Sequence, residues 1–212
     1  MLEFVEKELK LRLSNPEDAE RITADPLLSE LSASGALYSQ DYRSTYFDTP
    51  DFRLTQAGYA YRIRREGERL VAAVKKGQSS PGVVHQRREL SAEVDSIVPS
   101  LKPFFESPFG AQLRELVLGR PLIAIFTASF CRGSMDLILE KETRVEFSLD
   151  RGKISAGEKT LPILEIELEL KKGELSQMLK LGTALARKYS LAVETDSKFE
   201  KGLELTGFTG SS

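Results

Sequence analysis

The chain is poor in the side chains that carry thiol and soft-metal chemistry. Cys131 is its only cysteine, His85 its only histidine, and it has no tryptophan. A single cysteine excludes an intramolecular disulfide framework, and one of each residue excludes zinc sites built from several cysteines and histidines. A cysteine–histidine couple would require these two residues to meet. Any metal must otherwise be held by oxygen. Nowhere do apolar residues run for the roughly 18 positions that a membrane-spanning helix needs. The N-terminal Met1-Leu2-Glu3-Phe4-Val5-Glu6 has neither the basic flank nor the apolar block of a secretory leader. The expectation is a cytoplasmic protein with no membrane partner. A dominant charge is lacking too: 30 basic residues stand against 32 acidic ones, for a net charge of −2. No nucleic-acid partner is expected, although an even balance can conceal strongly charged local surfaces.

What the chain has is length for one core, 212 residues with 41% hydrophobic side chains, and no compositional division into halves. Residues 2–13 alternate charged and mostly apolar side chains, the period of a strand. Asn15-Pro16-Glu17-Asp18 then supplies an N-cap, a proline at the first helical position and an acidic first turn, which predicts a helix over about 16–31. Further strand-like runs fall at about 42–49, 57–65, 69–76, 83–94, 121–132, 134–140, 143–150 and 161–170. Turn material such as Arg65-Glu66-Gly67-Glu68 and the stretch 77–82 separates them. A short helix is expected near 108–118 and a longer one over about 174–189, where Leu175, Met178, Leu179, Leu185 and Tyr189 share a face. Lys171-Lys172-Gly173 reads as a surface connection between strand and helix, and Cys131 as a small core residue. Residues 205–212 have linker composition, so the domain is expected over 1–204 with a flexible tail after it. Many strands and few helices predict a mainly β, α+β architecture: an antiparallel sheet curled into a barrel with helices outside.

Residues two apart in a strand share a face. Glu6, Glu8 and Lys10 therefore line up, as do Arg62 with Arg64, Arg87 with Glu89, Glu146 with Asp150, and Glu165 with Glu167 and Glu169. Carboxylates aligned in this way repel unless they face bulk water, meet basic groups on neighbouring strands or bind cations. Two architectures satisfy the pattern. One is an ordinary sheet with a solvated charged face. The other is a closed barrel with a polar interior, acidic on one wall and basic on the other, and apolar side chains turned outward under helices.

Glu6-x-Glu8-x-Lys10 resembles the opening motif of the CYTH superfamily. The resemblance continues through Tyr46-Phe47-Asp48-Thr49-Pro50, Arg62-Ile63-Arg64, Lys75, His85-Gln86-Arg87-Arg88-Glu89, Arg132, Glu146 with Asp150, Glu165-x-Glu167-x-Glu169 and Ser197-Lys198-Phe199-Glu200. It covers about residues 2–202 and is loosest around Phe126 to Arg132. The resemblance implies a closed eight-stranded antiparallel triphosphate tunnel with a polar interior, and magnesium or manganese as cofactor. It implies that Lys10, Arg62, Arg64, Lys75, Arg87, Arg132 and Lys198 bind phosphate and that Glu6, Glu8, Glu165, Glu167 and Glu169 bind metal. Glu89, Glu146 and Asp150 would hold a second metal, orient the basic residues or position water. The catalytic set implied is Glu6, Glu8, Lys10, Glu167 and Glu169.

The activity implied is hydrolysis of inorganic triphosphate to diphosphate and orthophosphate. Thiamine or nucleoside triphosphates, an adenylyl cyclase reaction, and polyphosphate binding without cleavage are the alternatives. His85 shares the parity of Arg87 and Glu89 near a strand start and is expected at the rim rather than as a base. Tyr46, Phe47 and Phe52 are expected to pack around the turn at Asp48-Thr49-Pro50.

Overall fold

The computed structural model describes residues 2–35, 37–77 and 84–208. Among them nine strands form one sheet: β1 (Leu2–Arg12), β2 (Tyr38–Asp48), β3 (Tyr59–Glu66), β4 (Arg69–Gly77), β5 (Val84–Glu93), β6 (Ile123–Ile138), β7 (Arg144–Ala156), β8 (Lys159–Lys172) and β9 (Ala192–Val193). The order is β5-β4-β3-β2-β6-β7-β8-β1, and β1 also pairs with β5, so eight strands close an antiparallel barrel and leave no free edge. The short β9 adds only to the end of β1, at Leu11 and Arg12. The runs expected at 121–132 and 134–140 are one strand, because pairing to β2 and β7 passes unbroken through Gly133. Leu37 fills the space where a side chain at Gly133 would stand, 2.9 Å from an added Cβ.

Two tight turns set the registers. Gly67-Glu68 joins β3 to β4 and Gly157-Glu158 joins β7 to β8; each glycine has a positive φ, +61° and +58°, in the region that glycine enters without a Cβ penalty. The other expected turn, beyond Gly77, lies outside the described residues.

The barrel has inverted polarity. Leu9, Leu11, Phe147, Leu149, Ile166 and Leu168 turn outward under α1 (Pro16–Thr23), α2 (Pro26–Leu31) and α5 (Leu175–Tyr189). Tyr59, Tyr61, Ile63, Val74 and Leu90 do so under α3 (Arg53–Gln56), a 3-10 turn at Lys102–Phe104 and α4 (Gly110–Leu116). The alternate positions face inward, which carries the charged residues into the interior.

The helix expected over 16–31 is two helices. Asp25 breaks it by accepting from the Leu27 amide, with Pro26 starting the second helix. Asp25 also receives Lys188 Nζ at 2.8 Å and the Tyr189 hydroxyl at 2.7 Å, tying down the end of α5. In α5 the buried face is Gln177, Met178, Leu181, Gly182 and Leu185. Cys131 is exposed, not a core residue; with Phe130 and Arg132 turned inward, strand alternation puts it outside. Lys171 is part of β8 rather than of a connection. No helix among the described residues is long and apolar enough to cross a membrane.

A sixth helix, α6 (Lys198–Thr206), follows a reciprocal capping box in which the Ser197 and Glu200 side chains each accept from the other's backbone amide. Phe199, Leu203 and Leu205 pack on Tyr46, Phe126, Phe130, Ile154 and Ile163, so one end of the interior is apolar rather than polar. The expected tail begins late: α6 runs through Thr206, and the Phe208 ring lies 4.6 Å from that of Phe52. Residues 209–212 lie outside the described residues.

The seating of α6 depends on Gly202, where an added Cβ would fall 2.2 Å from Phe126 Cε2. The Phe126 ring has little room to yield, since it stacks on Tyr46 at 4.5 Å. Gly202→Ala is expected to cost about 1–3 kcal/mol through overpacking. In thermal unfolding followed by circular dichroism the midpoint should drop by about 2–4 °C per kcal/mol; an unchanged midpoint would mean that α6 does not sit against Phe126.

Candidate functional site: the charged barrel interior

The basic wall comes from β3 and β6. Arg62 and Arg64 project from β3 and Arg132 from β6, around the stacked rings of Tyr42 and Phe130. Arg64 Nε donates to Ser44 Oγ at 3.1 Å, and its guanidinium lies over Tyr42 at 5.1 Å and Phe130 at 5.8 Å. Its ion pair with Glu66 is loose, 3.9 Å. Burial, together with the neighbouring Arg62 and Arg132, brings Arg64 down to about 10. Arg62 is 3.7 Å from Glu89, and its buried Nε has no hydrogen-bond partner. Burial pulls Arg62 down, but Tyr46 and Glu89 outweigh it and hold the guanidinium above its ordinary value. For Tyr46 burial acts upward, and Arg62 and Arg64 overcome it and lower the phenol. Positive charge is therefore crowded here with too few counter-charges, the condition that an anion relieves.

Deeper, against α6, pairing is complete. Lys198 Nζ lies 2.6 Å from Asp150 Oδ2 and 2.8 Å from Glu167 Oε1, and it also donates to Glu165 Oε1. Arg132 clasps Asp150 with two bonds, 2.7 Å and 2.6 Å, and also reaches Glu167 Oε2. Lys10 donates to Glu167 Oε1 at 2.9 Å. Lys201 spans Glu165 and Glu194, 2.8 Å from each. Burial raises the Glu165 carboxyl, but Lys198 and Lys10 overcome it and hold the group at about 2.

The third group is a carboxylate rim towards the opposite mouth. Lys75 bridges Glu6 at 2.7 Å and Glu89 at 2.6 Å. Burial raises Glu6, yet Lys75 more than reverses this, to about 2. The β1–β8 register puts Glu8 opposite Glu169, and the β7–β8 register puts Glu146 opposite Glu169. Three acids thus stand side by side across adjacent strands. Lys10 answers Glu8 at 3.2 Å, and Lys171 answers the other two from the surface, 2.7 Å from Glu169 and 3.3 Å from Glu146. Its help is insufficient: burial, with Glu6 and Glu146 adding to it, leaves Glu169 above the usual carboxylate range. Glu169 and its neighbour Glu146 thus offer hard oxygen donors of the kind that suit a hard divalent cation.

Ten of the expected residues line the central cavity: Glu6, Glu8, Lys10, Arg62, Arg64, Lys75, Arg87, Arg132, Glu167 and Lys198. Glu89, Glu146 and Glu169 line the adjoining mouth. Glu165 and Asp150 are almost fully enclosed, 1% and 0% exposed, behind Lys198. His85 stands behind Arg87: its Nδ1 is 3.4 Å from Arg87 Nη2 and its Nε2 is 3.2 Å from the Glu194 carbonyl. Arg87 is held from the other side by Glu200 at 3.2 Å. The sequence reading missed Lys201, Glu194 and Glu200 as partners of site residues. Lys201 follows Lys198 by one helical turn, a signal usable only once α6 is known to be a helix. Tyr46, expected to pack around the turn at Asp48-Thr49-Pro50, stacks on Phe126 and lines the cavity.

The CYTH domain family matches residues 5–203 of this chain. An inorganic triphosphatase of Haemophilus influenzae is 30% identical over 164 residues, 75% of this chain and 44% of that protein, so the chain spans less than half the length of this curated relative. Among solved structures, a protein of Hippeastrum assigned as an adenylyl cyclase, and described as having a dominant triphosphatase activity, superposes with a TM-score of 0.61 at 19% identity, covering 92% of this chain and 93% of that one. A Bacillus halodurans protein assigned as an adenylate cyclase gives 0.59 at 19% identity, covering 95% and 98%. At these identities the structural likeness is one of fold.

The depressed carboxyls set an acid limit. Glu6 and Glu165 lie at about 2 in the folded chain against an ordinary 4.5. Folded values below unfolded ones give stability that is complete above pH 4.5 and lost as pH falls towards 2. Glu169 is raised and acts in the opposite sense. The thermal midpoint should hold on lowering the pH to about 5 and then fall steeply through the window from 4.5 to 2. A midpoint that begins to drop well above pH 5 would assign the acid sensitivity to other groups.

Proposed function

The chain belongs to the CYTH domain family, and from that premise we propose that its barrel binds inorganic triphosphate and hydrolyses it, with a divalent metal ion, to diphosphate and orthophosphate. The observation that carries this reading is the pair Arg62 and Arg64, short of acid, sharing the interior with Glu169, short of base. One side lacks an anion and the other lacks a cation. A metal–triphosphate complex supplies both. The Haemophilus relative is an inorganic triphosphatase, which supports the same substrate class.

In this reading Arg62, Arg64 and Arg132 grip phosphate oxygens, Arg62 using the Nε that has no partner. Lys75, Lys10 and Arg87 add charge along the chain of phosphates. The rings of Tyr42 and Phe130 confine the guanidinium of Arg64 between them and Ser44, so that little side-chain freedom is lost on binding. Glu6, Glu8 and Glu169, with Glu146 and Glu89 beside them, would hold magnesium or manganese. The ion would supply neutralisation of phosphate charge and activation of water. Free carboxylates of the rim receive the proton released when water attacks the terminal phosphorus in line with the departing diphosphate.

Orthophosphate release from inorganic triphosphate, measured with magnesium, manganese or chelator, and with ATP and thiamine triphosphate in parallel, tests the reading. Metal-dependent release from inorganic triphosphate is expected to exceed that from the organic substrates. Tight polyphosphate binding that persists in chelator, without release, would point to a binding module instead. Arg64→Ala should weaken triphosphate binding by about 1.5–3 kcal/mol, the scale of one charge-assisted contact. Unaltered affinity in calorimetry would remove Arg64 from the site.

A further inference from the structure

We infer that Lys198 is the resident cation of Asp150, Glu165 and Glu167, so that these three carboxylates take no divalent ion and Lys198 neutralises them instead of gripping phosphate itself. The three acids have ligand oxygens within 4.8 Å of one another, close enough to share one metal ion. The ammonium of Lys198 already stands among them. An ammonium has three N–H donors and no more. Two are donated, to Glu165 Oε1 and to Glu167 Oε1 at 2.8 Å, and Asp150 Oδ2 lies 2.6 Å away as an ion pair. Carboxylate oxygens thus enclose the ammonium from three sides.

The surroundings oppose exchange. Arg132, Lys10 and Lys201 also contact the trio, so the acids are matched by at least as many cations. A divalent ion added there would meet four positive groups in a space from which water is largely excluded. Lys198 is also not free to swing away. It opens α6 directly after the capping box of Ser197 and Glu200, and the helix is seated by Gly202 against Phe126. Glu167 keeps two further partners of its own, Lys10 at Oε1 and Arg132 at Oε2, so these side chains of the phosphate wall do not depend on the ammonium. Glu169 at the rim differs: its cation Lys171 is 40% exposed.

Two measurements test this. The first is a Mn2+ titration of the intact chain without substrate, comparing Glu165→Gln and Asp150→Asn with Glu169→Gln. Expected is an affinity within about twofold of the parent for the first two and a loss of about tenfold or more for the third. A loss in Glu165→Gln or Asp150→Asn as large as in Glu169→Gln would overturn the inference. The second measures triphosphate affinity in the Lys198→Met, Glu165→Gln double variant, which removes the cation together with one charge it balances. Affinity should stay within about threefold of the parent, because a balanced pair has been deleted. A tenfold or greater loss in the folded double variant would make Lys198 a phosphate ligand. This comparison needs no folded Lys198→Met single variant. The second measurement rests on the triphosphatase reading and the first does not, so a chain that binds no triphosphate sinks that reading while the Mn2+ titration still decides the cation's place.

Discussion

Enclosing carboxylates and cations in one closed barrel commits each of them to a partner, because a charge taken out of water and left alone costs several kcal/mol. That requirement organises the interior of this protein. It explains why Lys10 reaches across to Glu167, why Arg132 takes Asp150 with two bonds, and why Lys75 stands between Glu6 and Glu89. It also explains the outside. Strand alternation leaves the opposite faces to Leu9, Leu11, Phe147 and Ile166, and five helices cover most of that apolar surface.

Function resides where the pairing is left unfinished. Arg62 and Arg64 are short of acid, and Glu169 is short of base. A fully matched interior would be a stable plug of ion pairs with no reason to admit a ligand. An interior matched at one end and unmatched at the other has a direction: the α6 end holds its charges for itself, and in the proposed function the opposite end offers them to a substrate and its metal.

Much of this was legible in the sequence because period-two alternation survives any uncertainty about pairing. Glu6, Glu8 and Lys10 fall on one face whichever strand lies beside them, and so do Arg62 and Arg64. Alternation alone left open whether that face was the inside; the resemblance in motif order pointed to the tunnel, and the closure of β1 on β5 settles it. What could not be read depended on distant contacts. Gly133 looks like a break until Leu37 is seen to fill its place. Cys131 looks apolar by its neighbours, but no helix covers it. The linker-like composition after residue 204 hid the end of α6, whose stability comes from packing on Phe126 and Tyr46 rather than from its own sequence. For Lys198 the residue type is legible, but not the three carboxylate oxygens that surround it.

The closing stave of the barrel is its first strand, and this shapes how the chain can be made. β1 pairs with β5 on one side and β8 on the other, and the bond from Lys10 to Glu167 spans 157 positions. During synthesis β1 emerges first and must wait for the strand that completes it. Meanwhile it presents a bare edge with Leu9 and Leu11 uncovered, the kind of edge that invites pairing with another chain. The charges that later serve the cavity have an earlier use in that interval: Glu6, Glu8 and Lys10 on the waiting strand make it a poor partner for anything except the wall built to receive it.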